Sequence, residues 1–206
     1  MKKAVFSFLF FSVLSLFIFL QFQCSTNEPK KEMTKDEQIQ RGKYLVNLGG
    51  CNDCHSPKVM TNMGPVPDTT RLLSGHPAGE PLAPFDPKMV APGQWVLTSG
   101  TDFTAWVGPW GVSFAKNLTP DNETGTGRWT EEIFIKALRT GKDMGVGRPI
   151  LPPMPWQAIG QLPDEDLKCI FAYLQSLPAI SNKVPDPLPP GMSADQSKMM
   201  PKKGKS

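Results

Sequence analysis

One pentapeptide constrains this chain more than any other feature: Cys51-Asn52-Asp53-Cys54-His55. Two thiols three positions apart, followed at once by an imidazole, fit covalent attachment of a haem. Each thiol can form a thioether to one of the two vinyl groups of the macrocycle. His55 is then carried beneath the iron as proximal ligand, and the ring becomes part of the hydrophobic core. Two other chemistries share the spacing. A thioredoxin-like disulfide wants a βαβ context, and none surrounds the motif. Zinc wants four ligands; with Cys51, Cys54 and His55 used, only His76, Cys169 and carboxylates remain. The motif occurs once, which predicts one covalent haem c.

The N-terminus agrees with export. Lys2 and Lys3 precede an uncharged run from Ala4 to Leu20, broken only by Ser7, Ser12 and Ser15. A basic start followed by an apolar run reads as a secretory leader over 1–23, with a length close to the minimum for spanning a bilayer. Cys24 follows directly and stands where a bacterial lipoprotein carries its lipidated first residue, although Gln21, Phe22 and Gln23 occupy positions where small residues are usual. The expectation is a lipid anchor at Cys24 and a chain held on the periplasmic side of a bacterial membrane. The formal charge is +3, and losing Lys2 and Lys3 with the leader leaves the mature chain close to neutral. That is no footprint for nucleic acid, which needs a clustered basic face.

A polar tether spans 24–34. Thr34-Lys35-Asp36-Glu37 has the form of a capping box and predicts a helix start, with Ile39, Gly42, Lys43 and Val46 on one face and Gly49-Gly50 at its end. The stretch from Ser56 to Lys116 is punctuated by prolines, including Pro57, Pro65, Pro67, Pro77, Pro81, Pro84, Pro87, Pro92 and Pro109. It shows no lasting helical or alternating pattern, so it reads as a long loop wrapped on something. Trp95, Trp106 and Trp110 argue against disorder there, and Trp95 to Leu97 could form a short strand. Thr130 predicts a second helix, closed by Gly141. A third begins near Pro163, with Leu167, Ile170, Phe171 and Leu174 in core-helix spacing. The residues 181–206 read as a flexible Pro/Lys-rich tail, and the folded domain as 35–180.

The sixth iron ligand has several candidates. Met154 lies between Pro152-Pro153 and Pro155, whose fixed φ angles make a stiff presenter of one side chain, and His/Met is a common pairing in c-type sites. Met144 is the runner-up, loosened by Gly145 and Gly147. His76 sits in a turn-like Ser-Gly-His-Pro-Ala-Gly stretch and reads as a loop residue. Cys169 falls on the helix face away from the apolar stripe, as a small thiol under the long loop. A Cys24–Cys169 disulfide is the option if Cys24 escapes lipidation.

Three segments carry a family resemblance. Gly42 to His55 resembles the opening of class I cytochrome c domains. Asn117-Leu118-Thr119-Pro120-Asp121, with Glu123-Thr124-Gly125 and Gly127-Arg128-Trp129-Thr130, is similar to the cytochrome c modules of membrane-bound alcohol and gluconate dehydrogenase subunits. So is Pro152-Pro153-Met154-Pro155-Trp156, followed by Leu162 to Leu167. The resemblance covers residues 35–180. It implies an all-α cytochrome c fold, with three or more helices around one covalent haem and a long Pro/Gly-rich loop insertion. It also implies first and last helices crossing at Gly42, Met154 as distal ligand, and electron transfer. Those subunits carry several haem modules; this chain has one motif.

The expected function is electron transfer by an exported monohaem c-type cytochrome, His/Met-ligated and cycling Fe(II)/Fe(III). It would serve as a carrier or subunit of a respiratory or dehydrogenase chain, meet redox partner proteins, and not be an enzyme in its own right. The alternatives are a haem peroxidase-type enzyme or a haem-based gas sensor, each needing Met154 to vacate the iron.

Overall fold

A computed structural model describes residues 32–98 and 100–192. The leader and Cys24 lie outside the described residues. A compact unit begins at Thr34. Its first helix, α1 (Lys35–Leu48), opens with the expected capping box: the Glu37 amide donates to Thr34 Oγ1 (3.3 Å), and the Thr34 amide donates to Glu37 Oε2 (2.7 Å). Gly49 closes it and Gly50, at φ +63°, turns the chain into the short helix α2 (Cys51–His55). The second long helix, α3 (Glu131–Thr140), is capped by Thr130 and stopped by Gly141 in the left-handed conformation. A single-turn helix α4 (Trp156–Ile159) leads into α5 (Asp164–Ser176), whose first turn holds Asp164, Glu165 and Asp166 at the positive end of the helix dipole.

The helices meet as the apolar spacing requires. Leu45 and Val46 of α1, Phe134 and Leu138 of α3, and Leu167, Ile170, Phe171, Tyr173 and Leu174 of α5 share one core with the buried Leu73. The Phe134 and Phe171 rings lie 5.3 Å apart. At the crossing of α1 and α5, Gly42 rests on the α5 backbone. A Cβ there would run into the Cys169 carbonyl, and Tyr173 Cβ stands 2.8 Å away. A bidentate pair from Arg41 to Asp166, at 3.0 and 3.2 Å, ties the same two helices from outside. Cys169 is fully buried under α1, not under the long loop.

The all-α expectation is wrong for the region between α2 and α3. Two antiparallel sheets form there. The hairpin β1 (Lys58–Thr61) and β2 (Gly64–Pro67) pairs Val59 with Val66 and Met60 with Pro65. Strands β3 (Leu97–Thr98), β4 (Ala105–Gly108) and β5 (Gly111–Phe114) follow in the order β3-β4-β5. The suggested strand near Trp95 starts two residues later, at Leu97. This sheet has its own apolar cluster of Val90, Val107, Val112 and Leu188, edged by Leu82, Phe85, Leu97 and Phe114. The sequence hid it because the strands are two to four residues long, too short for alternation to register. Prolines at strand ends and edges added to the look of a loop.

The fold also runs past the expected boundary at 180. Val112 and Leu188 exchange backbone hydrogen bonds of 2.9 and 3.0 Å. The Asn182 side-chain amide donates to the Ser74 and His76 carbonyls, at 2.7 and 2.9 Å. Its own carbonyl accepts the Ala78 amide at 2.8 Å. The first part of the presumed tail is therefore packed on the insertion.

Candidate functional site

Cys51 and Cys54 project from α2, one helical turn apart, both half-buried and both free thiols. Burial pushes the Cys51 thiol up to about 11, and Cys54 is raised for the same reason. Reactive redox cysteines are shifted the other way, toward thiolate. That direction runs against the disulfide-exchange reading. Among the described residues no three of His, Cys, Asp and Glu gather as a metal-binding group.

His55 is buried, and its Nδ1 lies 2.8 Å from the Lys116 carbonyl. Burial lowers its proton affinity against the pull of that carbonyl, which leaves a neutral imidazole. Iron- and zinc-bound histidines use one ring nitrogen for the metal and the other for just such a carbonyl, which fixes tautomer and orientation. With Nδ1 committed, Nε2 is the nitrogen available to iron. The donor set of two half-exposed thiols and one oriented neutral imidazole fits a covalent haem.

The carbonyl that orients His55 is itself firmly placed. Residues 115–118 run beside 73–76: the His76 amide donates to the Ala115 carbonyl (2.9 Å), and the Leu118 amide to the Leu73 carbonyl (2.8 Å). Gly75, at φ +80°, lets the two segments touch, since a Cβ there would sit about 2.6 Å from the Lys116 carbonyl carbon. The Gly75 amide also donates to the His55 carbonyl at 2.7 Å. The Lys116 side chain is pinned between Asp143 Oδ1 (2.7 Å) and the face of Trp129 (4.9 Å). Beyond it, Asn117 anchors the turn. Its Oδ1 accepts from the Thr119 amide and hydroxyl, and its Nδ2 donates to the Ile180 carbonyl at 2.8 Å. The Asn117–Asp121 segment is thus a structural turn that presents Lys116 to the histidine.

Met154 is half-buried and packs against the same apolar core that Cys51 borders. Pro152, Pro153 and Pro155 are exposed, so the frame lies on the surface with the thioether turned inward. The Pro152–Pro153 bond is cis. Contacts from Ser113, Trp156 and Arg139 hold the frame and the segment that follows it. Ser113 Oγ donates to the Pro152 carbonyl at 2.6 Å. Trp156 covers Gly141, leaving no space for a side chain there. Arg139 donates to the carbonyls of Gly160 and Leu162 and pairs with Asp164 at 2.6 Å.

The rival ligands are placed differently. Met144 stands 47% exposed on a turn, in the left-handed conformation at φ +52°. His76 lies in irregular structure, as its sequence suggested, but it is buried there. It is 3% exposed, with Nδ1 2.9 Å from Thr104 Oγ1, its ring against Phe114, and a buried Nε2 that meets no hydrogen-bond partner at ordinary distance among the described residues. Sequence reasoning missed Lys116, Ser113 and Lys58. The first acts through a backbone carbonyl and the second through a contact 39 residues away in the chain, and neither leaves a local signal.

No protein-family model matches the chain. Among curated proteins, the chain is similar to several cytochrome c subunits and to a dihaem c-type cytochrome. The likeness narrows to cytochrome subunits of dehydrogenases. It is 38% identical to the fructose dehydrogenase cytochrome subunit of Gluconobacter japonicus over 149 residues, 72% of this chain and 23% of that one. It is 29% identical to the cytochrome c subunit of the quinone alcohol dehydrogenase of Gluconobacter oxydans over 153 residues, 72% of this chain and 24% of that subunit. The gluconate 2-dehydrogenase cytochrome c subunit of Pantoea cypripedii is 28% identical over 142 residues, with 69% and 24% covered. The chain thus spans about a quarter of the length of these relatives.

Proposed function

We propose that this chain is an exported monohaem c-type cytochrome that passes single electrons between protein partners. Haem c would be held by thioethers to Cys51 and Cys54, with His55 proximal and Met154 distal. Bound, the haem supplies a one-electron Fe(II)/Fe(III) couple. The observation that carries the reading is the His55 Nδ1–Lys116 carbonyl contact at 2.8 Å, directly behind two thiols at thioether spacing. That is the arrangement a metal-bound imidazole needs.

The protein's own groups would then tune and shield the site. A neutral thioether from Met154 favours the ferrous state, and the apolar core around it keeps water from the iron. With His55 and Met154 both holding the iron, no site would be left for peroxide or gas, which would favour transfer over the enzyme and sensor readings. Partners would meet the exposed haem edge over a small, short-lived interface. The leader over 1–23 and lipidation at Cys24 would place the unit on the periplasmic side of a membrane, anchored by its N-terminus. Among the described residues no helix is long and apolar enough to cross a membrane.

Expression of the full chain in a haem-attaching host tests this. The expected product keeps its colour through acidified acetone and shows a low-spin spectrum with a methionine–iron charge-transfer band. Met154→Ala keeps the haem, lowers the potential and turns the ferric form toward high spin. A colourless wild type, or identical spectra for the two proteins, would refute respectively the haem reading and the choice of Met154.

A further inference from the structure

Lys58 follows the motif by three residues, and its ammonium is folded back onto it. Nζ donates to the carbonyls of Asn52 (3.0 Å), Asp53 (2.9 Å) and Ser56 (2.5 Å). These belong to the last turn of α2 and the residue after it, where carbonyls lack intrahelical partners. The same turn is braced from its other side. Ser56, fully buried, donates to Asn52 Oδ1 (2.8 Å) and accepts the Leu73 amide (2.8 Å). Leu73 is itself held at φ +58° with no solvent exposure, a left-handed conformation that persists only where its surroundings enforce it. The turn carrying both thiols and the imidazole is therefore rigid, and a half-buried cation sits on it at a fixed place. Asp53 and Asp102 are the acidic groups whose fields reach Lys58. Neither forms an ion pair with it among the described residues.

We propose that Lys58 is a positioning residue that caps the attachment turn and, through its charge, raises the reduction potential of the site. The inference rests on the haem reading above. Oxidation removes one electron and adds one positive charge at the iron, with no bond made or broken. A fixed cation on the adjoining turn opposes that added charge, more strongly where water is partly excluded. The carbonyls hold the ammonium in place, so its effect is not averaged away as it would be for a lysine free in solvent.

Redox titration of the haem-loaded full chain tests this, comparing wild type with Lys58→Gln, Lys58→Met and Lys58→Arg. Gln keeps a neutral donor for the carbonyls and removes the charge; Arg keeps the charge. At the wild-type midpoint, Gln and Met should shift the ferrous-to-ferric ratio about threefold or more toward ferric, where tenfold corresponds to about 59 mV. Arg should stay at the wild-type ratio, and added salt should shrink the difference. A Gln variant with the wild-type ratio overturns the proposal even if the Met variant fails to retain haem. A wild type that acquires no covalent haem overturns the haem reading as well, so the two failures are told apart.

Discussion

Lys116 serves the candidate site through its backbone carbonyl, a group that every residue carries. No sequence pattern can mark such a role. The two thiols and the imidazole were legible at once, because their chemistry resides in side chains of fixed spacing. Met154 was legible as a candidate for a different reason: prolines on both sides restrict the backbone whatever the tertiary context. What holds Met154 was not, since Ser113 lies 39 residues before Pro152 and meets it only through the folded sheet. The hydroxyl–carbonyl contact predicts that Ser113→Ala loosens the methionine frame. A lost hydrogen bond of this kind is worth on the order of 1 kcal/mol. On the His/Met ligation proposed above, the readout is a weaker methionine–iron band and a lower pH at which methionine would leave the iron, with haem attachment unchanged.

At the scale of elements, the three long helices followed from caps, stops and apolar spacing. Thr34, Thr130, Gly141 and the acidic first turn of α5 all act as the sequence indicated. The sheets did not follow, because a strand of two to four residues carries too few positions for a period of two to stand out. Pairing partners, not local preference, make those segments extended. The crossing of α1 and α5 gives the sharpest test at this scale. Gly42→Ala would drive a methyl group into the Cys169 carbonyl. Backbone cannot yield as a flexible side chain does, so the helices must separate. Overpacking of this kind costs about 1–3 kcal/mol, well beyond the gain of under about 1 kcal/mol from better helix propensity. Chemical denaturation should show a lower midpoint, and Gly42→Ser should behave alike.

For the whole molecule, the boundary read from composition fell short of the one set by packing. Proline-rich, polar residues after 180 looked like a tail, yet Asn182 and Leu188 bind the insertion through side-chain amide and backbone contacts. Composition reports the chance of forming an element, not whether an irregular strand is stitched down elsewhere. Ending the chain after Ile180 should therefore expose the cluster of Val90, Val107 and Val112 and lower the thermal midpoint of the unit. Binding of an apolar dye should rise with it. If the truncated chain melts as the full one does, Leu188 contributes no packing of consequence.

The meeting of α1 with α5 has a temporal side as well. The surfaces that join at Gly42 and Cys169 come from opposite ends of the unit, with the attachment motif near the first. A polypeptide delivered amino end first presents Cys51 to His55 while its closing partner is still being threaded. On the haem reading proposed above, a porphyrin would be attached to an unlatched chain, and α5 would seal the product afterwards.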